Sequence, residues 1–325
     1  MKRYAIGVDI GGTNTVVGMV DAQGECVATL GFKTREFEYI DDYVGAICDN
    51  IEKLVGLVAD CELVGIGIGA PNMVYHTGCI EKPANLFWKD RQTGDRMEII
   101  PMAEMIRHRF PDTLVRGTND ANTAAIGEMC FGGARGMKDF VVITLGTGLG
   151  SGFVANGELI YGHDGGAGEL GHVIVERDGR MCTCGNRGCL EKYASATGIR
   201  NTVLEMLADP SKDSSLREIP VEQLDSRAIY DAAVKGDAVA MEAFEITGHW
   251  LGFGLAMAVA VTSPEAIFLF GGLAAAGNLI LEPTKRYMEH YLLRNYRDKV
   301  KILPSGVDGG NAAILGAAAL IWQDK

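Results

Sequence analysis

Positive charge is scarce in this chain: 30 Lys and Arg stand against 42 Asp and Glu, a formal net charge of −12 over 325 residues. That balance argues against a surface built to neutralise a nucleic-acid backbone or to rest on anionic lipid, while leaving room for a nucleotide in a local glycine-lined pocket. Long apolar runs are missing as well. The most apolar stretch, residues 251–262, is interrupted by Gly252 and Gly254, is too short to cross a bilayer, and reads as a buried helix. Met1-Lys2-Arg3-Tyr4 leads straight into the alternation of residues 5–8 without the apolar core and cleavage site of a signal peptide, so a folded strand is expected there. No low-complexity tract or short-period repeat is present. The glycine loops lack the lysine and spacing of a P-loop, and no dinucleotide fingerprint with its following acid is found. Five of the eight cysteines are scattered (Cys26, Cys48, Cys61, Cys79, Cys130), whereas Cys182, Cys184 and Cys189 crowd one loop. That distribution opposes a disulfide framework and suggests a metal in a reducing, cytoplasmic setting.

What is present suits two ordinary globular domains, with a cleft between them as the starting expectation. Segments 4–9, 15–21 and 26–34 have β-type patterning, punctuated by Gly11-Gly12 and Asp21-Ala22-Gln23-Gly24. A helix near 40–59, an apolar run at 63–68, a second helix near 99–110 and a strand at 113–117 complete an α/β unit. The arrangement restarts at Phe140: an apolar strand at 140–145, the turn Gly146-Thr147-Gly148, a strand at 152–155 and a turn at Asn156-Gly157. Residues 208–220, polar and holding two prolines, read as an exposed connector. Helices follow near 227–234 and 238–261, then an apolar strand at 266–270 ending in Gly271-Gly272, and an alanine-rich helix at 310–322. The expected domains are 1–118, with the C-terminal helix 310–325 as a candidate completion, and 119–309.

Four segments carry chemistry. In Asp9-Ile10-Gly11-Gly12-Thr13-Asn14, adjacent glycines let backbone N–H groups approach phosphate oxygens and Thr13 adds a hydroxyl, although a tight hairpin turn would use the same residues. The loop from Gly146 to Gly152 repeats this chemistry at the duplicated position, as clamping a triphosphate from two sides requires. Asn119-Asp120-Ala121-Asn122 follows a strand and opens a helix, where backbone N–H dipoles favour an ionised Asp120; capping and general-base roles both fit. His172, Cys182, Cys184 and Cys189, spaced His-x9-Cys-x-Cys-x4-Cys, offer four ligands for a tetrahedral structural zinc.

With these residues in place the chain resembles, over essentially its entire length, the ROK family, which groups actin-like bacterial sugar kinases with sugar-responsive repressors. The motifs Asp-x-Gly-Gly-Thr (9–13), Asn-Asp-x-Asn (119–122), Gly-Glu-x-Gly-His (168–172) and Cys-x-Cys-Gly-x-x-Gly-Cys-x-Glu (182–191) carry the resemblance. It implies an α/β, two-domain actin-like (ribonuclease H-like) duplicated fold with an interdomain cleft. It also implies that Asp120 takes the proton from the sugar hydroxyl and that Asp9 holds Mg2+ through water. Gly11, Gly12, Thr13, Asn14, Gly146, Thr147, Gly148, Gly271 and Gly272 would bind ATP. Gly69, Asn72, Asn85, Asn119, Glu169, His172 and Glu191 would join Asp120 around the sugar, with zinc stiffening the last three. Two departures stand out: Asn72 replaces a commoner glycine, and Trp88 lies one place nearer to Asn85 than in many members. Gly309-Gly310 is a weaker signal that helix packing explains equally well.

The implied activity is transfer of the ATP γ-phosphate to the 6-hydroxyl of a hexose, with glucose first and N-acetylhexosamine, mannose or fructose as alternatives. A sugar-responsive regulator without its own DNA-binding domain is the rival of another class. The expected partners are a hexose and a nucleotide, with no nucleic acid or membrane, and a homodimer or homotetramer is the expected assembly.

Overall fold

The computed structural model describes residues 2–83, 85–307 and 311–323; Gly309 and Gly310 lie outside them. The chain opens with β1 (Lys2–Ile10), β2 (Asn14–Asp21), β3 (Cys26–Lys33), α1 (Ile40–Gly56), β4 (Cys61–Gly69), β5 (Met73–Val74) and β6 (Cys79–Glu81). Then come β7 (Ile99–Ile100), α2 (Met102–Arg109), β8 (Val115–Thr118) and α3 (Asp120–Phe131). The next stretch holds β9 (Phe140–Leu145), β10 (Leu149–Ala155), β11 (Glu158–Leu159), α4 (Ala196–Leu207), α5 (Ser226–Val234) and α6 (Ala238–Thr262). It ends with β12 (Ala266–Phe270), α7 (Asn278–Tyr291), β13 (Lys301–Pro304) and α8 (Ala312–Trp322).

The two large sheets have the same topology. The first runs β3-β2-β1-β4-β8 and the second β11-β10-β9-β12-β13, each a five-stranded sheet that orders its own strands third, second, first, fourth, fifth. In both, the first two strands pair antiparallel and the fourth lies parallel to the first. This is the duplicated actin-like, ribonuclease H-like architecture. The chain divides into two compact units: Met1–Gly136 with Leu159–Ala167 and Gly306–Lys325, and Met137–Glu158 with Gly168–Ser305. The helix headed by Asp120 therefore sits in the first unit, together with α8.

The first core forms between the sheet and α1, whose Ile40, Tyr43, Val44, Ile47, Cys48, Ile51 and Leu54 recur at helical spacing and are buried. The opposite face admits α8 at backbone distance. Gly7 and Gly67 are register partners on β1 and β4, and a Cβ on either would collide with a carbonyl of α8, Ile314 or Ala317 respectively. The expected helix near 99–110 starts later, at Met102. Pro101 confines the residue before it to extended backbone, and Ile99–Ile100 pairs with β6 as a strand.

In the second unit α6 spans 25 residues, matching the helix expected near 238–261, and by length and composition alone it could cross a membrane. Its Phe244, Leu251, Leu255 and Val259 are buried in the core, and Gly248 and Gly252 let α7 approach at Pro283 and Thr284. The 208–220 stretch is more than an exposed connector. Leu216 is buried, and the Asp237 carboxylate accepts hydrogen bonds from Ser214 and Ser215.

Candidate active site

In the first unit the C-terminal end of β1 delivers Asp9 into the turn Gly11-Gly12-Thr13. Gly11 N donates to Asn14 O (3.0 Å), Thr34 Oγ1 donates to Gly11 O (2.8 Å) and Arg35 Nε donates to Gly12 O (2.9 Å). Beneath it Thr15 bonds Thr34 (2.8 Å) and the Tyr43 hydroxyl (2.6 Å), a buried polar network that fixes the turn. Asn14, a candidate phosphate ligand, accepts instead from Lys33 Nζ (2.7 Å). Asn85 lies beside the turn: a Cβ on Gly12 would meet Asn85 Cβ at 3.2 Å. Gly12, Thr34, Arg35, Asn85, Phe87 and Trp88 share a recess of about 220 Å³. Sequence motifs gave no hint of Arg35. Trp88 is a packing residue, buried and stacked on Tyr43 at 4.1 Å.

Asp120 occupies the first turn of α3, and Asn119 is the actual cap, its side chain accepting from Asn122 N (2.7 Å). Asn119, expected at the sugar, thus has its side-chain oxygen engaged in the helix, while its amide N–H groups are not part of that bond. Gly69 lets β4 end against that same turn, because a Cβ there would press on Thr123 at 3.1 Å. Asn72 has φ +58°, so the position demands left-handed backbone, and Asn can stand where glycine is commoner.

Helix position and burial act in opposite directions on Asp120, and burial prevails. Asp120 has a solvent-accessible face, yet the protein around it desolvates the carboxyl and pushes its pKa up, against the opposing hydrogen bonds from Ala121 N (3.0 Å) and its own N–H. Asp9 is raised to about 6, first by burial and then by the charge of Asp120. Two carboxyls that resist ionising together are a donor set suited to a hard cation, and a base of raised pKa is a stronger proton acceptor near neutrality.

The second unit holds the remaining candidates. Gly146 and Thr147 are exposed at the turn after β9, closed by Gly146 N donating to Gly148 O (3.0 Å). Gly271, at φ +103°, packs on the Leu145 carbonyl at the head of that turn, with Gly272 exposed beside it. Glu191 does not stand free for a sugar. Its Oε2 accepts from Leu149 N (3.2 Å) and its Oε1 lies 3.3 Å from Lys192 Nζ, a pair that motif reading missed.

His172, Cys182, Cys184 and Cys189 bring their donor atoms within 4.8 Å of one another. Cys184 Sγ and Cys189 Sγ lie 3.6 Å apart, as do Cys182 Sγ and His172 Nδ1. A tetrahedron with zinc–sulfur bonds of about 2.3 Å and a zinc–nitrogen bond of about 2.0 Å has edges of about 3.5–3.8 Å, so these two separations fit zinc. Burial and the neighbouring thiols push the Cys189 thiol up to about 12, a penalty that a bound cation reverses. Glu169 is exposed, with Oε2 3.9 Å from His172 Nε2, while the other ring nitrogen faces the thiols.

Comparison with known proteins decides the family. The ROK sequence profile matches residues 5–324. The chain belongs to the ROK family. The glucokinase of Halalkalibacterium halodurans is 32% identical over 99% of this chain and 96% of its own length. A ROK family glucokinase from Streptomyces griseus, solved with glucose and AMPPNP, is 32% identical, with a TM-score of 0.77 and 98% of each chain covered. A putative xylose repressor of Caldicellulosiruptor is also similar, at 26% identity over 98% of this chain and 78% of the repressor. Both glucokinases and a repressor are therefore among the similar proteins.

Proposed function

We propose that this chain is an ATP-dependent glucokinase that moves the γ-phosphoryl group of ATP to the 6-hydroxyl of glucose. One observation carries the reading: Asp120, at the head of α3, shares its electrostatic surroundings with Asp9, which leads into a glycine-threonine turn. A sugar-responsive regulator needs a pocket but no proton acceptor beside a phosphate turn. The full-length similarity to glucokinases supports the same choice.

The glucose O6 attacks the γ-phosphorus, the bond from that phosphorus to the β–γ bridging oxygen breaks, Asp120 takes the hydroxyl proton, and ADP leaves. Because the transition state is loose, positioning and charge neutralisation do most of the catalysis. Asp9 would hold Mg2+ through water, an ion that when bound neutralises charge on the transferring group. Zinc held by His172, Cys182, Cys184 and Cys189 is structural in this reading. In this reading the enzyme is cytoplasmic and a homodimer or homotetramer, and sedimentation velocity tests the assembly. ADP release across glucose, mannose, fructose, N-acetylglucosamine and N-acetylmannosamine tests the substrate; a preference for an amino sugar would overturn glucose.

The pH profile follows from the two carboxyls. A group raised to about 6 is protonated below that value, so kcat/KM should fall about tenfold per pH unit on the acid side and level off above neutrality. A profile flat down to pH 4.5 would contradict both assignments.

A further inference from the structure

The metal cluster lies on two arms, and both end on the same short segment. The first arm carries His172. Just before it, Gly168 packs on the Ser151 carbonyl, where a Cβ would come within 2.8 Å, and Ser151 Oγ donates to Gly168 O and accepts from Leu170 N (3.2 Å). Gly171 presses so closely on the Leu149 carbonyl that any side chain would collide with it. The second arm carries Cys182, Cys184 and Cys189. After Cys189 the chain puts Leu190 into the core against Gly254, and Leu190 N bonds back to Val173 O (3.0 Å) on the first arm. It then extends Glu191 to Leu149 N, with Lys192 holding the other carboxylate oxygen. A Cβ on Gly148 would land on Glu191 Oε2, and Ala196 N donates to Gly146 O (2.9 Å).

We propose that the cysteine–histidine metal centre and Glu191 set the conformation of the 146–148 turn, making the metal a determinant of nucleotide affinity and Glu191 a positioning residue for the phosphate side. The proposal rests on the reading of that turn as phosphate-binding. The physical basis is that a ligand cluster joining the two arms fixes both at once, and both hold the first residues of β10, directly after the turn. Without the metal only backbone bonds such as Leu190 N to Val173 O (3.0 Å) and Val175 N to Gly188 O (2.9 Å) tie the arms together, and the N–H groups of the turn are held less firmly.

The test is calorimetric titration with Mg·AMPPNP in the absence of sugar, alongside hydrogen exchange at the Leu149 amide. Chelation of the metal should weaken AMPPNP binding about tenfold or more and speed exchange at Leu149. Glu191→Ala, with its metal content unchanged, should do the same, and Glu191→Gln, which keeps an acceptor for Leu149 N, should recover much of the loss. Unchanged AMPPNP affinity and Leu149 exchange in Glu191→Ala would overturn the proposal even if the chelated protein unfolds. Thr147→Ala is the marker for the underlying reading: if it leaves AMPPNP affinity unaltered, the turn does not bind phosphate, and the proposal falls with that assignment.

Discussion

Asp120→Asn is expected to lower turnover about 10²–10⁴-fold while raising the melting temperature. The loss follows from removing the proton acceptor, since general-base catalysis contributes on that order. The gain follows from linkage. Burial raises the Asp120 pKa in the folded protein, so the folded state binds that proton more tightly than the unfolded chain does. Such a group contributes stability below the ordinary carboxylate range, and that stability is lost as pH rises through its folded value. Above that value the carboxyl is carried ionised against burial, a burden on the fold that the amide removes. Asp9→Asn should behave alike, because burial raises that carboxyl too, to about 6, so it is ionised at an assay pH of about 7.5. Steady-state kinetics, zinc content and a melting curve on Asp120→Asn check the point together. Near-wild-type turnover would end the assignment of Asp120 as base, and a lowered melting temperature with turnover lost would mean that the carboxylate stabilises the fold.

Much of this was legible in the residues because it depends on local pattern. The apolar strands ending in glycine turns, the Asn-Asp helix start and the His-x9-Cys-x-Cys-x4-Cys spacing each announce themselves within a few positions, and the structure brings the four metal ligands together. What escaped depends on distant partners. The sign of the Asp120 shift is decided by surrounding protein and not by its helix. Glu191 belongs to a sugar-like motif by sequence, yet its carboxylate reaches a backbone N–H 42 residues earlier in the chain. Asn72 looked like a departure until its backbone angle showed a requirement that Asn and glycine both meet. The glycines of β4 read as a simple apolar alternation, and nothing local says that the C-terminal helix needs their bare faces.

Those glycines give the sharpest stability contrast in the molecule. Gly67→Ala should destabilise the protein by about 3 kcal/mol or more, because the new methyl would occupy the space of the Ala317 carbonyl, and backbone cannot rotate aside as a side chain can. The helix α8 would have to lift from β1 and β4. It also packs on α3, where a Cβ on Gly127 would meet the Gly316 backbone at 3.1 Å and one on Gly316 would press on the Thr123 carbonyl at 2.5 Å. Lifting α8 therefore disturbs the helix that carries Asp120, and activity should fall with stability. Gly45→Ala is the matched control. It lies in α1 with nothing within 4 Å of the added methyl, and removing glycine from a helix interior stabilises by about 0.5–1 kcal/mol. The same chemical change should thus move the denaturation midpoint in opposite directions at the two sites, by urea unfolding followed with circular dichroism. Equal midpoints would show that α8 does not rest on the glycine face of the sheet.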